Sequence, residues 1–526
     1  MKVLVSDKLG EIGIRMFQKE EGIEVDVNVG LAPEELGKII GDYDGLVIRS
    51  ATKVTKELLE KAVNLKVVGR AGIGLDNVDI PAATEKGVVV MNTPGGNVVT
   101  TAEHAIAMML SLTRNIPRGT ASLKAGNWDK KKLQGREIFN KIYGVIGFGN
   151  IGSIAANRAR GLKMRVIVYD PFVTPERIEK EGFEAVSLED LYKRSDYITV
   201  HVPKLKQTTG LLNKEAFDKM KEGVMVINCA RGGIVDEEAL YDAIKSGKVA
   251  GAALDVFGTE PPGKIPLFEL DNVIGTPHLG ASTREAQTNV AVAVADQIID
   301  FLKNGTVRNA VNMPSVTGEL LEKLGPFLKL GDSMGSLQSQ LIKEPLKEVI
   351  IEFNGDFQGL DLAPVTTAVL KGILEPVVKD DVNTVNAPII AKSRGIKVTE
   401  TNSLESEDYI NMITVSAVTT GSTSIVAGTI FGKSDPRVVK IDNFRVEMGT
   451  QGHIAIIQNL DKPGAIGNIG SVIGENGINI EKMHVGQEKD GGRNIILLMT
   501  DTSMPDEVVE KVRALSMVKT VTTLEL

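Results

Sequence analysis

The first half of the chain alternates short apolar runs with segments of helical periodicity. The apolar runs KVLVSD, IEVDV, DGLVIRS, LKVVGR and GVVVMN extend to about Asn97. After the long helical segment TTAEHAIAMMLSLTRN, the alternation begins again at IYGVIGFGNIG and continues through RVIVYD, YITVHVP, GVMVINCA, GAALDVF and NVIGTPH. This pattern predicts two α/β units, each with a parallel sheet that carries helices on its faces.

The rest of the chain predicts two further units. The periodic segment Arg284–Asn304 is expected to return to the first unit, which makes that unit discontinuous. The third unit begins helical and becomes rich in strands, which predicts an α+β domain. The last follows the order strand, helix, strand, strand, helix, strand, typical of a ferredoxin-like sandwich. The predicted domains are residues 1–97 with 285–310, 98–284, 315–447 and 450–526.

The composition is that of an ordinary globular protein, with 42% hydrophobic residues, 24% charged residues and a net charge of −8. No basic block or zinc-finger spacing is present, so neither nucleic acid nor a metal is expected as a partner. No apolar run has the length of a membrane span, and MKVLVSDKLG predicts a first strand, not a signal peptide. The single cysteine, Cys229, cannot form an internal disulfide, which fits a reducing cytoplasm.

A glycine-rich loop, GFGNIG, follows the apolar strand YGVI and opens a helix. Its glycines allow a tight turn and a close approach to a pyrophosphate, which the helix N-terminus stabilises. The next strand ends in Asp170, whose carboxylate can accept hydrogen bonds from a ribose and would repel the 2′-phosphate of NADP. The pattern indicates an NAD site, and the alternative is a strand-to-helix turn with an unrelated aspartate. The loop residues concerned are Gly147, Gly149, Asn150, Ile151 and Gly152.

Arginines follow three of the predicted strands. Arg231 comes after GVMVINCA, where a guanidinium can clamp a substrate carboxylate through two hydrogen bonds. Arg49 ends DGLVIRS beside Ser50, and Arg70 ends LKVVGR before the loop AGIG. Both suit an anionic substrate, with N–H groups of the loop as further donors. The alternative for each arginine is an ordinary surface salt bridge.

Glu260, in GTEPP, and His278, in TPHLG, form a candidate proton-transfer pair. An imidazole can take the proton of a hydroxyl group while hydride leaves for a nicotinamide. A carboxylate at the other ring nitrogen fixes the tautomer and favours the charged ring. The alternatives are a solvated loop acid and a loop histidine with a structural partner, and periodicity does not choose between them.

Four other residues are of types that often bind ligands or take part in catalysis. Cys229 has no recognisable base beside it, which favours a small buried residue near a cofactor over a nucleophile. His104 lies within an apolar helix, which favours a structural role. His201 ends a strand and is expected to line the cofactor cleft, and Trp128 is expected to be a packing residue.

Together these motifs resemble the D-3-phosphoglycerate dehydrogenase family, within the D-isomer-specific 2-hydroxyacid dehydrogenases. The matching segments are VIRSATKVT, VVGRAGIGLDNVD, GVIGFGNIG, NCARGGIVDEEAL, AALDVFGTEPP and TPHLGASTREAQ. VNAPIIAKSRGI resembles the intervening, allosteric-substrate-binding domain of the long form, and NLDKPGAIGNIG with ENGINI resembles an ACT domain. The implied architecture is a flavodoxin-like substrate domain (1–97 and 285–310), a Rossmann-type NAD-binding domain (98–284), an α+β intervening domain (315–447) and a ferredoxin-like ACT domain (450–526).

The resemblance also implies roles by position. His278 would be the acid–base, Glu260 its partner and Arg231 the holder of the substrate carboxylate and carbonyl. The NAD contacts would include the glycine loop and Asp170, Thr208, Cys229, Ala230, Arg231, Asp255, His278 and Gly280. The substrate contacts would be Arg49, Ser50, Arg70, Ile73 and Gly74. Where the family often has an arginine that crosses a subunit boundary, this chain has Lys130, which keeps the charge and loses the planar fork. Asn459, Asp461 and Asn479 match positions that bind L-serine.

The implied reaction is the NAD-dependent oxidation of 3-phospho-D-glycerate to 3-phosphohydroxypyruvate, the first step of phosphorylated L-serine biosynthesis. A cytoplasmic homotetramer, with L-serine as an effector, is also implied. One alternative is a dehydrogenase for glycerate, glyoxylate or 2-oxoglutarate, but two anion-suited arginines favour a phosphorylated substrate. Another is an NADH-responsive interaction protein or an amino-acid sensor with a vestigial core. The presence of Arg231, Glu260 and His278 argues against that second alternative.

Overall fold

The computed structural model describes residues 1–315, 318–357, 359–378, 382–405, 409–487 and 493–526. The chain divides into two compact units, each of which is made from separate segments. The first unit consists of Met1–Leu9, Gly13–Asn92 and Val294–Leu526, and the second of Gly10–Ile12 and Thr93–Ala293. No helix among the described residues has the length and apolar character needed to cross a membrane.

The N-terminal sheet of the first unit has five parallel strands in the order β2-β1-β3-β4-β5, which is flavodoxin-like. Strands β1, β3 and β4 are almost wholly buried, as expected for strands with helices on both faces. The elements are β1 (Lys2–Val5), α1 (Glu11–Lys19), β2 (Glu24–Val27), α2 (Pro33–Ile39), β3 (Gly45–Ile48), α3 (Lys56–Lys61), β4 (Val67–Arg70), α4 (Ile80–Glu85) and β5 (Val89–Asn92).

The second unit contains seven parallel strands in the order β12-β11-β10-β9-β6-β7-β8. Chain order reverses beside β6, and in such sheets ligands bind at the carboxyl ends of the strands next to that reversal. The elements are α5 (Val98–Thr113), α6 (Ile116–Lys124), β6 (Ile142–Ile146), α7 (Asn150–Gly161), β7 (Arg165–Tyr169), α8 (Pro175–Lys180), β8 (Glu184–Ala185), α9 (Leu188–Arg194), β9 (Tyr197–Val200), α10 (Lys214–Lys219), β10 (Val224–Asn228), α11 (Glu237–Lys245), β11 (Val249–Leu254) and β12 (Val273–Gly275).

The long helix α12 (Arg284–Asn304) begins in the second unit, and from Val294 onward it belongs to the first. Its C-terminal half packs on the five-stranded sheet at Gly69, where a Cβ would lie 2.7 Å from Val294 Cγ2 and would collide with Ile298. The absent side chain of Gly69 therefore allows the helix to approach the sheet closely.

Residues after α12 in the first unit build a mixed six-stranded sheet in the order β14-β13-β15-β16-β17-β18. Helix α13 packs on α14 backbone to backbone, because a Cβ at Gly335 or at Gly372 would collide with a carbonyl oxygen of the facing helix. The elements are α13 (Gly318–Leu341), β13 (Leu346–Gly355), α14 (Ala363–Leu374), α15 (Ala387–Ser393), β14 (Lys397–Ser403), β15 (Asn411–Thr419), β16 (Thr423–Phe431), β17 (Asp435–Ile441) and β18 (Phe444–Met448).

The C-terminal elements form an antiparallel sheet in the order β20-β21-β19-β22, with two helices, as in a ferredoxin-like sandwich. One face of this sheet packs under the two helices. The other face contributes Ile456, Leu497 and Leu524 to one apolar core shared with α13. The elements are β19 (His453–Leu460), α16 (Ala465–Glu475), β20 (Ile480–Gln487), β21 (Arg493–Thr500), α17 (Asp506–Arg513) and β22 (Val518–Glu525).

Candidate active site

The glycine-rich loop connects β6 to α7, and each of its glycines has a distinct role. Gly147 has a φ of +93°, a conformation that favours glycine. At Gly152 a Cβ would collide with the Gly147 carbonyl oxygen, so the third glycine lets the helix begin against the turn. At Gly149 a Cβ would meet no atom within 4 Å, so this position opens onto free space before the helix N-terminus at Asn150 and Ile151.

Asp170 follows β7 and holds the glycine loop from the neighbouring strand. Its Oδ2 accepts a hydrogen bond from Phe148 N at 2.6 Å, and its Oδ1 accepts one from Phe172 N at 2.7 Å. Each carboxylate oxygen has a second lone pair, so Asp170 can still accept hydrogen bonds from the hydroxyls of a ribose. The half-buried carboxylate therefore holds the glycine loop and also places a negative charge beside it.

Arg231 stands on a turn after β10 that the buried Asn228 organises. Asn228 Oδ1 accepts from Ala230 N at 3.0 Å, and its Nδ2 donates to the Arg231 carbonyl at 3.0 Å. The guanidinium Nη1 donates to the Ala230 carbonyl at 2.7 Å. The nearby Asp236 caps α11 through the backbone N–H groups of residues 238 and 239, at 3.1 and 3.0 Å.

Glu260 and His278 meet in the second unit. Glu260 Oε2 lies 2.7 Å from His278 Nδ1, and Glu260 Oε1 accepts from Phe257 N at 3.1 Å. The side chain of His278 is 50% exposed, and its Nε2 has no hydrogen-bond partner in the part of the chain that the structure describes. His278 has a φ of +53°, an uncommon conformation outside glycine that clusters at functional sites. The pair thus presents one ring nitrogen to solvent.

Asp255, which is fully buried, holds the loop that carries His278. Its Oδ1 accepts from Leu279 N at 2.7 Å and from Thr276 Oγ1 at 2.6 Å, and its Oδ2 accepts from Gly280 N at 2.8 Å. Burial alone would raise the pKa of Asp255, but hydrogen bonds from His104, Thr276 and the two loop N–H groups outweigh it. Its pKa therefore lies below the ordinary value, and Asp255 is ionised at neutral pH.

Two other titratable groups near this region are held neutral by burial. Cys229 is 4% exposed, and burial, reinforced by the charge of Asp255, raises the pKa of its thiol far above the usual range. A neutral thiol is a poor nucleophile, which agrees with the packing role expected for it. Burial lowers the pKa of His201 to about 4, and its Nε2 lies 3.0 Å from Thr199 Oγ1.

The residues expected to meet the substrate phosphate lie in the first unit, at the ends of β3 and β4. Arg49 Nη1 donates to the Lys8 carbonyl at 3.2 Å, and Arg70 Nε donates to Asn77 Oδ1 at 3.2 Å. Ser50 is exposed. The carbonyl of Ile73, beside Gly74, accepts from Asn92 Nδ2 at 2.7 Å, so the loop after β4 is tied to the end of β5.

Three residues of the second unit stand apart from these contacts. Lys130 is exposed and begins a 3₁₀ turn, Lys130–Leu133. The expectation that Trp128 packs inside the protein is wrong, since this side chain is 82% exposed. Trp128 follows α6 in the chain, and α6 itself has no buried residues. The sequence alone does not show that this segment is left exposed. Thr208 Oγ1 donates to the Pro203 carbonyl at 2.6 Å within the loop after β9.

The three residues matched to serine binding differ in burial. Asn459, at the end of β19, is 1% exposed, and its Nδ2 donates to the Leu460 carbonyl at 2.8 Å. Its Oδ1 is buried without a hydrogen-bond partner among the described residues. Asp461 follows in an exposed loop. Asn479 is exposed, and its N–H donates to Asp501 Oδ1 at 3.0 Å.

Sequence reasoning missed two residues that shape the site, Asn228 and Thr276, and assigned His104 only a structural role. Asn228 lies within the same motif as Arg231, but nothing in the pattern indicates that its amide closes the turn. Thr276 and His104 act on Asp255, and His104 and Thr276 are 172 residues apart in sequence. Periodicity does not reveal contacts at that separation. Within the described residues, no group of three or more His, Cys, Asp and Glu side chains is gathered as a metal would require.

Three segments of the chain match known families. Residues 106–280 match the NAD binding domain of the D-isomer specific 2-hydroxyacid dehydrogenases. Residues 323–442 match the D-3-phosphoglycerate dehydrogenase intervening domain, and residues 453–516 match the ACT domain.

Relatives also match along the whole chain. The D-3-phosphoglycerate dehydrogenase of Archaeoglobus fulgidus is 45% identical over 100% of both chains, and that of Bacillus subtilis is 44% identical over 97% of each. The chain belongs to the D-3-phosphoglycerate dehydrogenase family. The resemblance predicted from the motifs is therefore confirmed.

Solved structures resemble about three-fifths of this D-3-phosphoglycerate dehydrogenase family member. The TT0316 protein of Thermus thermophilus covers 59% of the chain, with 100% of its own length, at 33% identity and a TM-score of 0.55. An NAD-dependent formate dehydrogenase from Staphylococcus aureus, solved in complex with NAD, covers 60%, with 100% of its own length, at 30% identity and a TM-score of 0.54. The predicted fold class and NAD as cofactor are confirmed, whereas the domain boundaries and the roles of individual residues stay predictions.

Proposed function

We propose that this chain oxidises 3-phospho-D-glycerate to 3-phosphohydroxypyruvate with NAD, the first step of phosphorylated L-serine biosynthesis. The observation that carries the proposal is the contact of 2.7 Å between Glu260 Oε2 and His278 Nδ1, which leaves the other ring nitrogen open. This pair lies in the same unit as the glycine loop. Membership of the D-3-phosphoglycerate dehydrogenase family supports the substrate.

His278 is the general base of the proposed oxidation. Because Glu260 accepts the Nδ1–H, the neutral ring carries its lone pair on Nε2, where the hydroxyl proton of the substrate can be taken. The ring then becomes an imidazolium, which the Glu260 carboxylate stabilises. In the reverse reaction the same nitrogen returns the proton to the carbonyl oxygen.

The glycine loop fits the pyrophosphate of NAD, since Gly149 opens onto free space at the start of α7 and the helix N-terminus favours an anion. When bound, NAD supplies the acceptor for the hydride that leaves the substrate carbon. Asp170 holds the ribose, and its carboxylate disfavours NADP. The remaining residues proposed to line the nucleotide are Gly147, Asn150, Ile151, Gly152, Thr208, Cys229, Ala230, Arg231, Asp255, His278 and Gly280.

Cationic groups bind the two anionic ends of the proposed substrate. Arg231 takes the carboxylate and the reacting oxygen, and the turn built by Asn228 fixes its backbone. Arg49 and Arg70 take the phosphate, together with Ser50 and the backbone at Ile73 and Gly74. Lys130 replaces the arginine that the family often has, as a point charge without a planar fork.

Regulation and assembly complete the proposal. L-serine is the proposed effector of the ACT region, with Asn459, Asp461 and Asn479 as contacts. The buried Oδ1 of Asn459, which has no partner among the residues that the structure describes, supports a ligand there. A cytoplasmic homotetramer is proposed, supported by the exposed apolar side chains of Ile116, Leu123 and Trp128. The proposed domains are residues 1–97 with 285–310, 98–284, 315–447 and 450–526.

The direct test measures NADH formed from NAD and 3-phosphoglycerate by the purified chain and by His278→Ala. Loss of a general base is expected to lower turnover about 10²- to 10⁴-fold, with NAD binding retained. Absence of turnover in the native chain would contradict the reaction, and undiminished turnover in the variant would contradict the role of His278.

A further inference from the structure

His104 is a half-buried histidine on α5 that the proposed mechanism does not use. Its Nε2 lies 3.1 Å from Thr276 Oγ1 and 3.3 Å from Asp255 Oδ1. The His104 side chain is 19% exposed and that of Asp255 1%. His104 is thus aimed at the buried carboxylate that holds the loop of His278.

The direction of these hydrogen bonds follows from the number of hydrogens present. Thr276 Oγ1 has a single hydrogen, and Asp255 Oδ1, at 2.6 Å, is an ionised acceptor that claims it. Thr276 Oγ1 can therefore only accept from His104. Nε2 of His104 must carry a hydrogen, and it donates that hydrogen to Thr276 Oγ1, to Asp255 Oδ1, or to both.

Asp255 in turn fixes three consecutive residues of the catalytic loop. Its backbone carbonyl accepts from His278 N at 3.0 Å, and its carboxylate accepts from Leu279 N and Gly280 N at 2.7 and 2.8 Å. His278 adopts its φ of +53° at the start of this stretch. A shift of the Asp255 carboxylate would move the backbone from which the imidazole projects.

We propose that His104 is a positioning residue for the reaction, acting through Thr276 and Asp255 on the loop that carries His278. The inference rests on the proposed function, because it assumes that His278 takes the substrate proton. His104 touches neither of the catalytic partners Glu260 and Arg231 in the contacts described. It keeps the Asp255 carboxylate in one orientation by completing its set of donors.

The test compares His104→Gln with His104→Leu in the full-length chain. The Gln amide can place an N–H donor near the position of Nε2 but cannot be charged, whereas Leu supplies no donor. Misplacement of a catalytic group by about 1 Å can cost about 100-fold, so we expect the Leu variant to lose about 10- to 100-fold in kcat. The kcat of the Gln variant is expected to stay within about threefold of that of the native chain, because the amide retains a hydrogen-bond donor.

Two further measurements separate positioning from a general loss of structure. The KM for 3-phosphoglycerate and the affinity for NAD, followed by protein fluorescence, are expected to change far less than kcat. With substrate deuterated at the reacting carbon, the isotope effect on kcat should rise in the Leu variant, because a misplaced base slows the chemical step. Glu103→Gln, at an exposed neighbour on α5, is the matched control and should leave kcat unchanged.

A kcat of the Leu variant within about twofold of the native value, or equal losses in the Gln and Leu variants, would overturn the inference. If the Leu variant does not fold, His104→Asn replaces it, because the shorter Asn cannot reach Thr276. Equal activity of the Asn and Gln variants would then overturn the inference. Turnover by the native chain with no effect of these variants contradicts only the role of His104, whereas no native turnover contradicts the proposed function itself.

Discussion

Two buried polar residues, Asp255 and Asn459, differ in whether their side-chain oxygens accept hydrogen bonds from the protein. Asp255 is 0% exposed, and both of its carboxylate oxygens accept hydrogen bonds from the loop that carries His278. Asn459 is 1% exposed, yet its Oδ1 has no partner among the described residues. Asn494 lies opposite it across the β19–β21 ladder, and within the part of the chain that the structure describes its Oδ1 also has no hydrogen-bond partner.

The difference separates a loop whose buried acceptor has its donors from a pair of strands whose buried acceptors have none among the described residues. An unmade hydrogen bond at a buried acceptor costs about 1–3 kcal/mol, so the region around Asn459 retains acceptors that a donor could satisfy. The Asp255 network requires no ligand to order the backbone at His278. This contrast fits catalysis from a preorganised loop in the second unit and ligand-dependent control through the C-terminal sheet.

The largest effect is expected from a substitution of Asp255, the residue whose two carboxylate oxygens both accept hydrogen bonds. Asp255→Asn keeps the shape but turns an N–H group toward Leu279 N or Gly280 N, which also donate. We expect turnover to fall about 100-fold, since the His278 backbone loses its anchor. The free energy of unfolding should fall by about 1.5–3 kcal/mol at neutral pH, the range for hydrogen bonds to a charged group. Steady-state kinetics and denaturant unfolding measure the two effects.

The pH dependence of that stability loss has a definite sign. The folded-state pKa of Asp255 lies below its unfolded value, because the hydrogen bonds to it favour the carboxylate. The stability it contributes is therefore fully present above the unfolded pKa of about 3.9 and is lost as pH falls through the folded pKa. The gap in unfolding free energy between native and Asp255→Asn chains should stay constant above about pH 5 and shrink in more acidic buffer. A gap that grows with acid would contradict this assignment.

A smaller effect is expected at the nucleotide loop, where Asp170 accepts hydrogen bonds from two backbone N–H groups. Asp170→Asn keeps an acceptor for Phe148 N but removes the charge that disfavours a 2′-phosphate. The ratio of kcat/KM for NADP to that for NAD should rise about tenfold, which corresponds to about 1.4 kcal/mol. An unchanged ratio, measured with both cofactors in one preparation, would show that Asp170 does not select the cofactor.

The smallest effect on catalysis is expected from a substitution of Asn459. Asn459→Ala removes one hydrogen bond, from Nδ2 to the Leu460 carbonyl, and an acceptor without a partner among the described residues. Turnover without serine should therefore stay within about twofold and unfolding free energy within about 1 kcal/mol of native. Inhibition by L-serine is expected in the native chain and in Asn468→Ala, an exposed control on α16, and should be lost in Asn459→Ala. Inhibition that survives in Asn459→Ala would remove this residue from the effector site.

Local patterns made much of this molecule predictable. The glycine loop and Asp170 follow neighbouring strands, and Glu260 and His278 lie in loops after neighbouring strands, so the alternation of strands and helices predicts that each set lies at one edge of the sheet. That pattern leaves open whether Glu260 and His278 touch. The contacts that escape prediction join distant segments. His104 meets Thr276 across two elements, α5 and the end of β12, and Trp128 is apolar without being covered. The core shared by α13 and the C-terminal sheet likewise depends on packing that no single segment encodes.

The most direct measurement compares 3-phosphoglycerate with D-glycerate as substrates of the native chain in one NADH assay with NAD. The two molecules differ only in the phosphate, so their ratio of kcat/KM reports the groups proposed to bind it. We expect the ratio to favour 3-phosphoglycerate by at least about 100-fold, or about 2.7 kcal/mol of transition-state binding, and to fall in Arg70→Leu. Equal kcat/KM for both substrates, or a preference for D-glycerate, would contradict the proposed function.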